Sequence, residues 1–279
     1  MQKFKFLEFW QYLPYYFDPV AFNFGPVEIR WYSLMYVCAI LVVTFGFYYL
    51  ASKNKEKDYL AHIFDFFNFG VLGIIVGARL GYVMFYNAGH YITHPLEIIW
   101  PFNNGEFVGI SGLSYHGGAL GFLIAIYLAA KLYDINFYSL FNRIVLLVPL
   151  GYTFGRIGNF LNQELFGRAT QSWIGMYFPT DSTNSLRYPS QLFEAVGEGL
   201  FLFLILYLVS LNKKLAKYIT PIYILGYAVI RYILEYFREP DSFQKLVFGL
   251  FSYGQVLSLA MVVLGLCLIP FFKKYVKEN

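Results

Sequence analysis

Hydrophobic and polar residues follow one another along this chain in long blocks. Apolar stretches of about 20 residues alternate with shorter polar segments, and a helix of that length crosses the roughly 30 Å of hydrocarbon in a bilayer. The pattern therefore predicts seven membrane-spanning helices, near residues 31–51, 64–86, 115–133, 139–158, 191–211, 219–238 and 250–272.

The composition agrees with this pattern. The chain is 58% hydrophobic and only 14% charged, whereas about a quarter of the residues in a soluble globular protein are charged. We therefore predict an all-α polytopic integral membrane protein with a single membrane domain over residues 1–279 and outer loops near 87–114 and 164–190. The net charge of +4 is too small to indicate a nucleic-acid partner.

Lysines mark one side of the predicted bundle. The loop 87–113 contains no lysine or arginine, whereas lysines follow spans one, three, five and seven. Because cytoplasmic loops are enriched in positive charge, the N-terminus is expected outside and the C-terminus in the cytoplasm. The lysines concerned are Lys53, Lys55, Lys57, Lys131, Lys213, Lys214, Lys217, Lys273, Lys274 and Lys277.

Three arginines lie within apolar spans or at their outer ends. Arg79, Arg156 and Arg231 each occupy a position where an ionisable side chain costs at least about 2.5–3.5 kcal/mol, so such residues normally face the bundle interior. A guanidinium group can donate two parallel hydrogen bonds to phosphate. Together the arginines indicate a polar chamber for an anion.

The acidic residues in the fifth and sixth predicted spans each have two interpretations. One helical stripe of the sixth span contains Tyr227, Arg231, Glu235 and Arg238. Its charges form either an ion pair that neutralises itself or a cationic surface held in place by the glutamate. Gln191, Glu194 and Glu198 also share a face. The two glutamates are either a general acid/base pair or, as we favour, counter-ions for the arginines.

The second and third spans contain closely spaced glycines. Gly70, Gly73, Gly77 and Gly81 form a small-residue stripe typical of close helix packing in lipid. Arg79 lies off that stripe. It is either a phosphate-binding charge or a residue whose side chain extends to the outer interface.

His116 is followed by three nearby glycines, Gly117, Gly118 and Gly121, which we expect to leave space for a substrate. It is a candidate general base, because imidazole titrates closest to physiological pH, or else a structural histidine at a helix end. The histidines, cysteines and carboxylates show no metal-ligand spacing, so no metal is predicted.

The segment GRIGNFLNQELFGR, residues 155–168, ends the fourth apolar stretch with several polar side chains. In a continuous helix Arg156, Asn159 and Gln163 would share a face, while Asn162 and Glu164 would point elsewhere. We expect the helix to break here and line a polar cavity. The residues alone thus indicate an enzyme or a transporter with an arginine-rich site for an anionic, lipidic ligand.

Residues 155–167 are also very similar to the signature Gly-Arg-x-Gly-Asn-Phe-x-Asn-x-Glu-x-x-Gly of bacterial prolipoprotein diacylglyceryl transferases. The resemblance covers nearly the whole chain. Further similar blocks are FDPVAFNFGPVEIRWYSLMY at 17–36, GARLGYVMFYN at 77–87, SYHGG at 114–118, YPSQLFEA at 188–195 and GYAVIRYILEYFREPD at 226–241.

The resemblance implies the first step of lipoprotein maturation, in a multi-pass protein of the bacterial cytoplasmic (inner) membrane. The diacylglyceryl group of phosphatidylglycerol moves to the lipobox cysteine in the signal peptide of a preprolipoprotein, and glycerol phosphate leaves. The implied partners are phosphatidylglycerol, these signal peptides and membrane lipids. No cofactor is implied.

The resemblance also implies roles for particular residues. Arg156, Arg231 and His116 match the family's functional arginines and histidine, and are expected to be catalytic. The residues expected to bind or orient substrate are Tyr32, Asn159, Glu164, Tyr227, Glu235 and Arg238, and those expected to shape the backbone are Gly155, Gly158 and Gly167. Arg79 is also expected to bind substrate, because of its charge within the second span.

One segment departs from the family pattern. The stretch from Trp100 to His116 is longer than the usual loop, and Asn103 or Asn104 stands where an acidic residue is usual. A secondary transporter or channel for an anionic lipid or solute is the main rival, although the two halves show no internal repeat. A metal-dependent lipid transferase would need an acidic ligand cluster, and a structural protein would not retain uncompensated arginines.

Overall fold

The computed structural model describes residues 2–25, 27–100, 102–103, 106–107, 112–239 and 250–276. The chain divides into two compact units. Met1–Phe47 and Asn142–Asn279 form the first, and Tyr48–Phe141 forms the second. The predicted single domain of residues 1–279 stays a prediction.

Helices dominate both units. In chain order they are α1 (Gln2–Gln11), α2 (Trp31–Lys53), α3 (Lys57–Ala61), α4 (Ile63–Tyr86), α5 (Ala88–Thr93), α6 (Tyr115–Leu132), α7 (Phe137–Leu161), α8 (Ser190–Glu194), α9 (Leu202–Ser210), α10 (Lys213–Ala216), α11 (Ile219–Leu234) and α12 (Tyr253–Tyr275). The strands are β1 (Val20–Phe24), β2 (Val27–Arg30), β3 (Phe102–Asn103) and β4 (Glu106–Phe107).

Each of the seven predicted spans forms a helix, which confirms the all-α polytopic class. In the described part of the chain, six helices are long and apolar enough to cross a membrane. They are α2, α4, α6, α7, α12 and the continuous helix Ser190–Ser210. The remaining predicted span, α11, has only 16 residues, about 24 Å at 1.5 Å per residue. The side on which each terminus lies stays a prediction.

A π-helical segment joins α8 to α9. Residues Ala195–Phe201 (AVGEGLF) form this wider turn inside the fifth span. Such segments are rare and frequently occur at functional sites. Gly199 lies against α7, where a Cβ atom at this position would overlap the side chain of Thr153. The absence of a side chain at Gly199 thus lets the π-helical segment approach α7 closely.

In the second unit, α4 and α6 pack through the predicted glycine stripe. A Cβ atom on Gly77 or Gly81 would collide with backbone atoms of Gly117 or Gly121 on α6. The stripe is therefore a close-packing surface, as expected. The expectation that Gly117 and Gly121 leave space for a substrate is wrong, because the backbone of α4 already fills the space beside these two glycines.

In the first unit, the segment after α7 that is predicted to be an outer loop (164–190, the outer segment) packs on the N-terminus. The indole nitrogen of Trp10 donates to the carbonyl of Ile174 at 3.0 Å. Gln163 donates to the carbonyl of Pro14 at 3.1 Å and to that of Phe17 at 2.8 Å. Beneath these contacts lies a small core of Phe160, Met176 and Phe178. The end of α7 is thereby fixed for the residues that follow it.

About half of the long segment between Trp100 and His116, Asn104 included, lies outside the described residues. Its described parts contain two short antiparallel strands, in which Phe102 pairs with Phe107 and Asn103 with Glu106. No role for the unusual length of this segment follows from these strands.

Candidate active site

Three arginines of the first unit converge on one buried carboxylate. Oε2 of Glu194, on α8, lies 2.8 Å from Nε of Arg156 on α7. Its other oxygen, Oε1, lies 3.4 Å from Nη1 of Arg231 on α11 and accepts a hydrogen bond from Nη1 of Arg238 at 2.5 Å. Glu194 is thus a counter-ion shared by three cations, which supports the counter-ion interpretation of the fifth span.

A second carboxylate, that of Glu235, holds Arg231 and Arg238 from the other side. Its Oε2 lies 3.0 Å from Nη2 of Arg231 and 3.6 Å from Nε of Arg238. Its Oε1 accepts a hydrogen bond from the hydroxyl of Ser252 at 2.9 Å. Ser252 is the N-cap of α12, and the partial positive charge at a helix N-terminus favours a carboxylate there. Glu235 therefore anchors both arginines to α12.

Arg156 also leads to the polar residues that end α7. Its Nη1 donates to Oδ1 of Asn159 at 3.1 Å, and Nδ2 of Asn159 donates to Oε1 of Glu164 at 2.8 Å. The break predicted for the helix in this segment is confirmed. The helix ends at Leu161 and Gln163 has φ 57°, so the chain turns and brings Glu164 back to Asn159.

The charges in this cluster differ in how far they reach the surface. The side chains of Arg156, Arg231 and Arg238 are 18%, 16% and 18% exposed, whereas those of Glu194 and Glu198 are 1% and 0% exposed. Within the described residues, Nη2 of Arg156 donates no hydrogen bond. An approaching anion would therefore meet the guanidinium groups before the carboxylates.

At two of the three predicted structural glycines, a side chain would be too close to neighbouring atoms. A Cβ atom on Gly167 would overlap the carbonyl of Phe237, and Gly167 pairs with Arg238 as an antiparallel bridge. A Cβ atom on Gly158 would lie 3.1 Å from Met35 and 3.5 Å from the backbone of Tyr32. In the described part of the chain, nothing beyond its own helix lies within 4 Å of such an atom on Gly155, so the structure does not explain a glycine there.

The two predicted substrate-binding tyrosines are also in the first unit. The hydroxyl of Tyr32, on α2, donates to the hydroxyl of Tyr36 at 3.0 Å. The ring of Tyr227, on α11, stands edge-on to that of Tyr152, with centroids 6.1 Å apart. Because Tyr152 contacts Arg156, Tyr227 borders the arginine cluster.

Arg79 belongs to the second unit, where its guanidinium binds a loop. It donates to the carbonyls of Ile98 at 2.7 Å, Glu97 at 2.7 Å and Gly112 at 3.3 Å. The ring of Tyr91 lies 4.9 Å from its guanidinium carbon. These contacts explain how the charge is buried without substrate. A role for Arg79 in substrate binding stays a prediction.

His116 also lies in the second unit, in the first turn of α6. Its imidazole is exposed and stands edge-on to Tyr115, with ring centroids 5.7 Å apart. Its assignment as a base stays a prediction. Throughout the described residues, no three histidine, cysteine or acidic side chains come together in a metal-binding arrangement.

An additional ion pair stabilises the outer segment of the first unit. Arg187 donates to Oδ2 of Asp181 from Nε at 2.7 Å and to Oδ1 from Nη2 at 3.2 Å. Burial alone raises the pKa of Asp181, but hydrogen bonds from Arg187 and Thr183 outweigh it and hold this pKa at about 2. Arg187 also reaches Glu239 at 3.1 Å, and so connects the outer segment to the residue after Arg238.

Asp181→Asn is expected to lower the free energy of unfolding by about 2 kcal/mol at neutral pH. Because the folded-state pKa lies below the usual 3.8, this stabilisation is present above pH 3.8 and disappears as the pH falls towards about 2. Thermal unfolding of wild type and variant in detergent, from pH 7 downwards, measures the difference.

Glu239→Gln is the matched control for this variant. The side chain of Glu239 is 51% exposed, so the loss of its ion pair is expected to cost less than about 1 kcal/mol. A gap between wild type and Asp181→Asn that stays constant down to pH 3 would contradict the assignment of this stabilisation to the ion pair.

Sequence reasoning missed Tyr152 and Ser252 as part of the cluster. The hydroxyl of Tyr152 accepts a hydrogen bond from Nε of Arg156 at 2.7 Å, and its position one helical turn before Arg156 was a usable signal. No comparable signal existed for Ser252, because its contact with Glu235 joins residues on different helices.

Comparison with known proteins agrees with this arrangement. A family model described as prolipoprotein diacylglyceryl transferase matches residues 19–271. A phosphatidylglycerol–prolipoprotein diacylglyceryl transferase of Campylobacter lari is 45% identical over 98% of this chain and 100% of its own length. The proteins of the same name from Chlorobaculum tepidum and Wolinella succinogenes are 40% identical (96% of this chain, 94% of theirs) and 43% identical (95% and 97%). The chain therefore belongs to the prolipoprotein diacylglyceryl transferase family.

Proposed function

We propose that this protein transfers the diacylglyceryl group of phosphatidylglycerol to the lipobox cysteine of preprolipoproteins. The observation that carries the proposal is the layered cluster in which three partly exposed guanidinium groups stand in front of buried carboxylates. We place the protein in the bacterial cytoplasmic membrane, with the N-terminus outside, as one membrane domain of residues 1–279. The names of its relatives support the substrates.

The proposed reaction needs cations where the phosphate leaves. The thiol gives its proton to a base, and the sulfur electron pair forms a bond to the glyceride carbon. The bond between that carbon and the phosphate oxygen breaks, and its electron pair departs with glycerol phosphate. Negative charge therefore increases on the phosphate, where preorganised donors lower the barrier. Arg156 and Arg231 are the proposed catalytic donors.

The other residues are assigned to support these donors. Arg238, Asn159 and Glu235 hold or extend the guanidinium array through the contacts described above. Glu164 fixes Asn159, and Tyr32 and Tyr227 are proposed to border the lipid headgroup. Gly158 and Gly167 permit the close backbone approaches, and the open space beside Gly155 adjoins Arg156. Arg79 is proposed to bind substrate only indirectly, through the loop that it holds.

The test uses purified protein in detergent, supplied with phosphatidylglycerol and a synthetic lipobox peptide, without added metal. Release of glycerol phosphate is followed together with the mass of the peptide. We expect release that requires the peptide cysteine, and no release with a peptide in which serine replaces it. A folded protein that binds the lipid but releases no glycerol phosphate would favour the transporter alternative.

His116→Asn is expected to slow turnover at least 100-fold at neutral pH if His116 is the base, since general base catalysis contributes about 10²–10⁴-fold. The deficit should shrink above pH 8.5, because a thiol with an ordinary pKa of about 8.5 then ionises without help. Turnover of wild type and His116→Asn between pH 6 and 10 measures this deficit and its pH dependence.

His62→Asn is a suitable control, because His62 lies at the start of α4 and stacks on Tyr133, with ring centroids 3.8 Å apart. It is expected to change the amount of folded protein more than the pH dependence. Full activity of His116→Asn with an unchanged pH profile would make His116 structural and leave thiol activation to the arginine cluster.

A further inference from the structure

The hydroxyl of Tyr152 joins Arg156 to a second buried glutamate. It accepts a hydrogen bond from Nε of Arg156 at 2.7 Å and donates one to Oε2 of Glu198. Oε2 of Glu194 lies farther away, at 3.4 Å. The ring of Tyr152 also lies 4.8 Å from the guanidinium carbon of Arg156. A single tyrosine therefore contacts this guanidinium through both its ring and its hydroxyl.

These contacts fix the direction of the remaining guanidinium nitrogen. A guanidinium group is planar and rigid, so two fixed nitrogens determine where the third points. Nε of Arg156 is held by Tyr152 and Glu194, and Nη1 is held by Asn159. Within the described residues Nη2 donates no hydrogen bond, so both of its N–H groups are left to donate to a substrate.

A contribution to stability alone does not explain the buried Glu198. Its side chain is fully buried, and within the described residues its Oε1 has no hydrogen-bond partner. The closest ion pair of this oxygen is with Nη1 of Arg231, at 3.8 Å. A buried carboxylate oxygen without a hydrogen bond costs about 1–3 kcal/mol or more. Such a group in a native structure calls for an explanation other than stability.

The local backbone is also arranged for this contact. Glu198 lies in the π-helical segment Ala195–Phe201, and Gly199 allows that segment to touch Thr153, the neighbour of Tyr152. The hydroxyl of Thr153 donates to the carbonyl of Ala195 at 3.3 Å. The two helices are thus joined directly beside the bond between Tyr152 and Glu198.

We propose that Tyr152 and Glu198 are positioning residues that orient the guanidinium of Arg156 towards the phosphate of the lipid substrate. Glu198 holds the hydroxyl of Tyr152 so that its lone pair faces Nε of Arg156, and the ring supports the guanidinium plane. The inference rests on the proposed function, and it adds two residues that act through Arg156 without touching the reacting atoms.

Tyr152→Phe tests the hydroxyl alone, because the ring is retained. We expect kcat for glycerol phosphate release to fall about tenfold or more, since misplacement of a catalytic group by about 1 Å can cost 10²-fold. KM for phosphatidylglycerol is expected to rise only about threefold. Tyr127→Phe is the matched control, because Tyr127 is half-exposed on α6 and its ring stands edge-on to that of Phe137.

Glu198 is tested by a pair of substitutions and a double-mutant cycle. Glu198→Leu should lower kcat as Tyr152→Phe does. The kcat of Glu198→Gln should be at least threefold higher than that of Glu198→Leu, because the amide oxygen of glutamine can still accept a hydrogen bond from Tyr152. The double variant Tyr152→Phe/Glu198→Leu should be no slower than the slower single variant. Additive losses, or a kcat per folded enzyme that stays at the wild-type value in Tyr152→Phe, would overturn the proposal.

A binding measurement separates this inference from the proposed function. Fluorescent phosphatidylglycerol is titrated into wild type, Tyr152→Phe and Tyr127→Phe, with phosphatidylcholine as competitor. We expect the Kd to rise about threefold in Tyr152→Phe only. If wild type turns over and both readouts of Tyr152→Phe equal wild type, only the positioning role fails. If wild type does not turn over, the proposed function fails, and the change in Kd still decides whether Tyr152 orients Arg156.

Discussion

Replacement of Arg156 by lysine is expected to lower kcat for glycerol phosphate release at least 100-fold. Arg156 uses Nε for Tyr152 and Glu194 and Nη1 for Asn159, whereas Nη2 donates no hydrogen bond within the described residues. An ammonium group is a single centre and cannot bridge these partners and a substrate together. The loss of one preorganised donor at a developing anion typically costs about 10²–10³-fold in kcat.

The division of the effect between kcat and KM tests the role more closely. Lysine keeps the positive charge, so ground-state attraction of the lipid phosphate should survive, and KM should change less than kcat. Steady-state rates at several phosphatidylglycerol concentrations, with an excess of lipobox peptide, measure both constants.

Arg30→Lys is the matched control, because Arg30 lies at the end of β2 and its side chain is 54% exposed. Its rate should stay close to that of wild type, and both variants should keep the wild-type unfolding temperature within a few degrees. A rate for Arg156→Lys within threefold of wild type would remove Arg156 from the group that stabilises the departing phosphate.

The sequence was sufficient to predict the helices and the presence of an anion site. Apolar blocks long enough to cross a bilayer leave few alternatives to helices, since backbone groups in lipid must be hydrogen-bonded within their own segment. Arginines within such blocks are costly and must share an interior. Arg156, Arg231 and Arg238 meet in the structure for this reason.

The sequence did not determine how the charges are paired. The contact of Glu194 with three arginines depends on how α7, α8 and α11 pack, which helical periodicity does not specify. The sequence predicted a break near Gln163, but it carried no signal that the positive φ there returns Glu164 to Asn159. The α6 glycines were misinterpreted because a glycine next to a functional residue and a glycine at a helix contact look alike in sequence.

Glu194→Leu is expected to cause the largest loss of stability among these variants. Removal of one partner from a buried ionic cluster costs about 3–5 kcal/mol, because the remaining charges stay buried without compensation. Here the charges left behind are those of Arg156, Arg231 and Arg238. The unfolding temperature in detergent should fall by roughly 10 °C, and turnover should be lost. Glu28→Leu, at a carboxylate that is 55% exposed, should unfold within a few degrees of wild type.

Glu194→Gln separates the charge of Glu194 from its shape. In the structure Glu194 satisfies the same guanidinium groups that the lipid phosphate would bind, so carboxylate and phosphate compete for them. Loss of the negative charge should therefore tighten binding of phosphatidylglycerol, and the lipid should raise the unfolding temperature more in the variant than in wild type. Turnover should nevertheless fall, because the amide nitrogen cannot accept from Arg156 and Arg238 as a carboxylate does. Weaker lipid binding by Glu194→Gln would show that Glu194 orients the arginines without competing with the substrate for them.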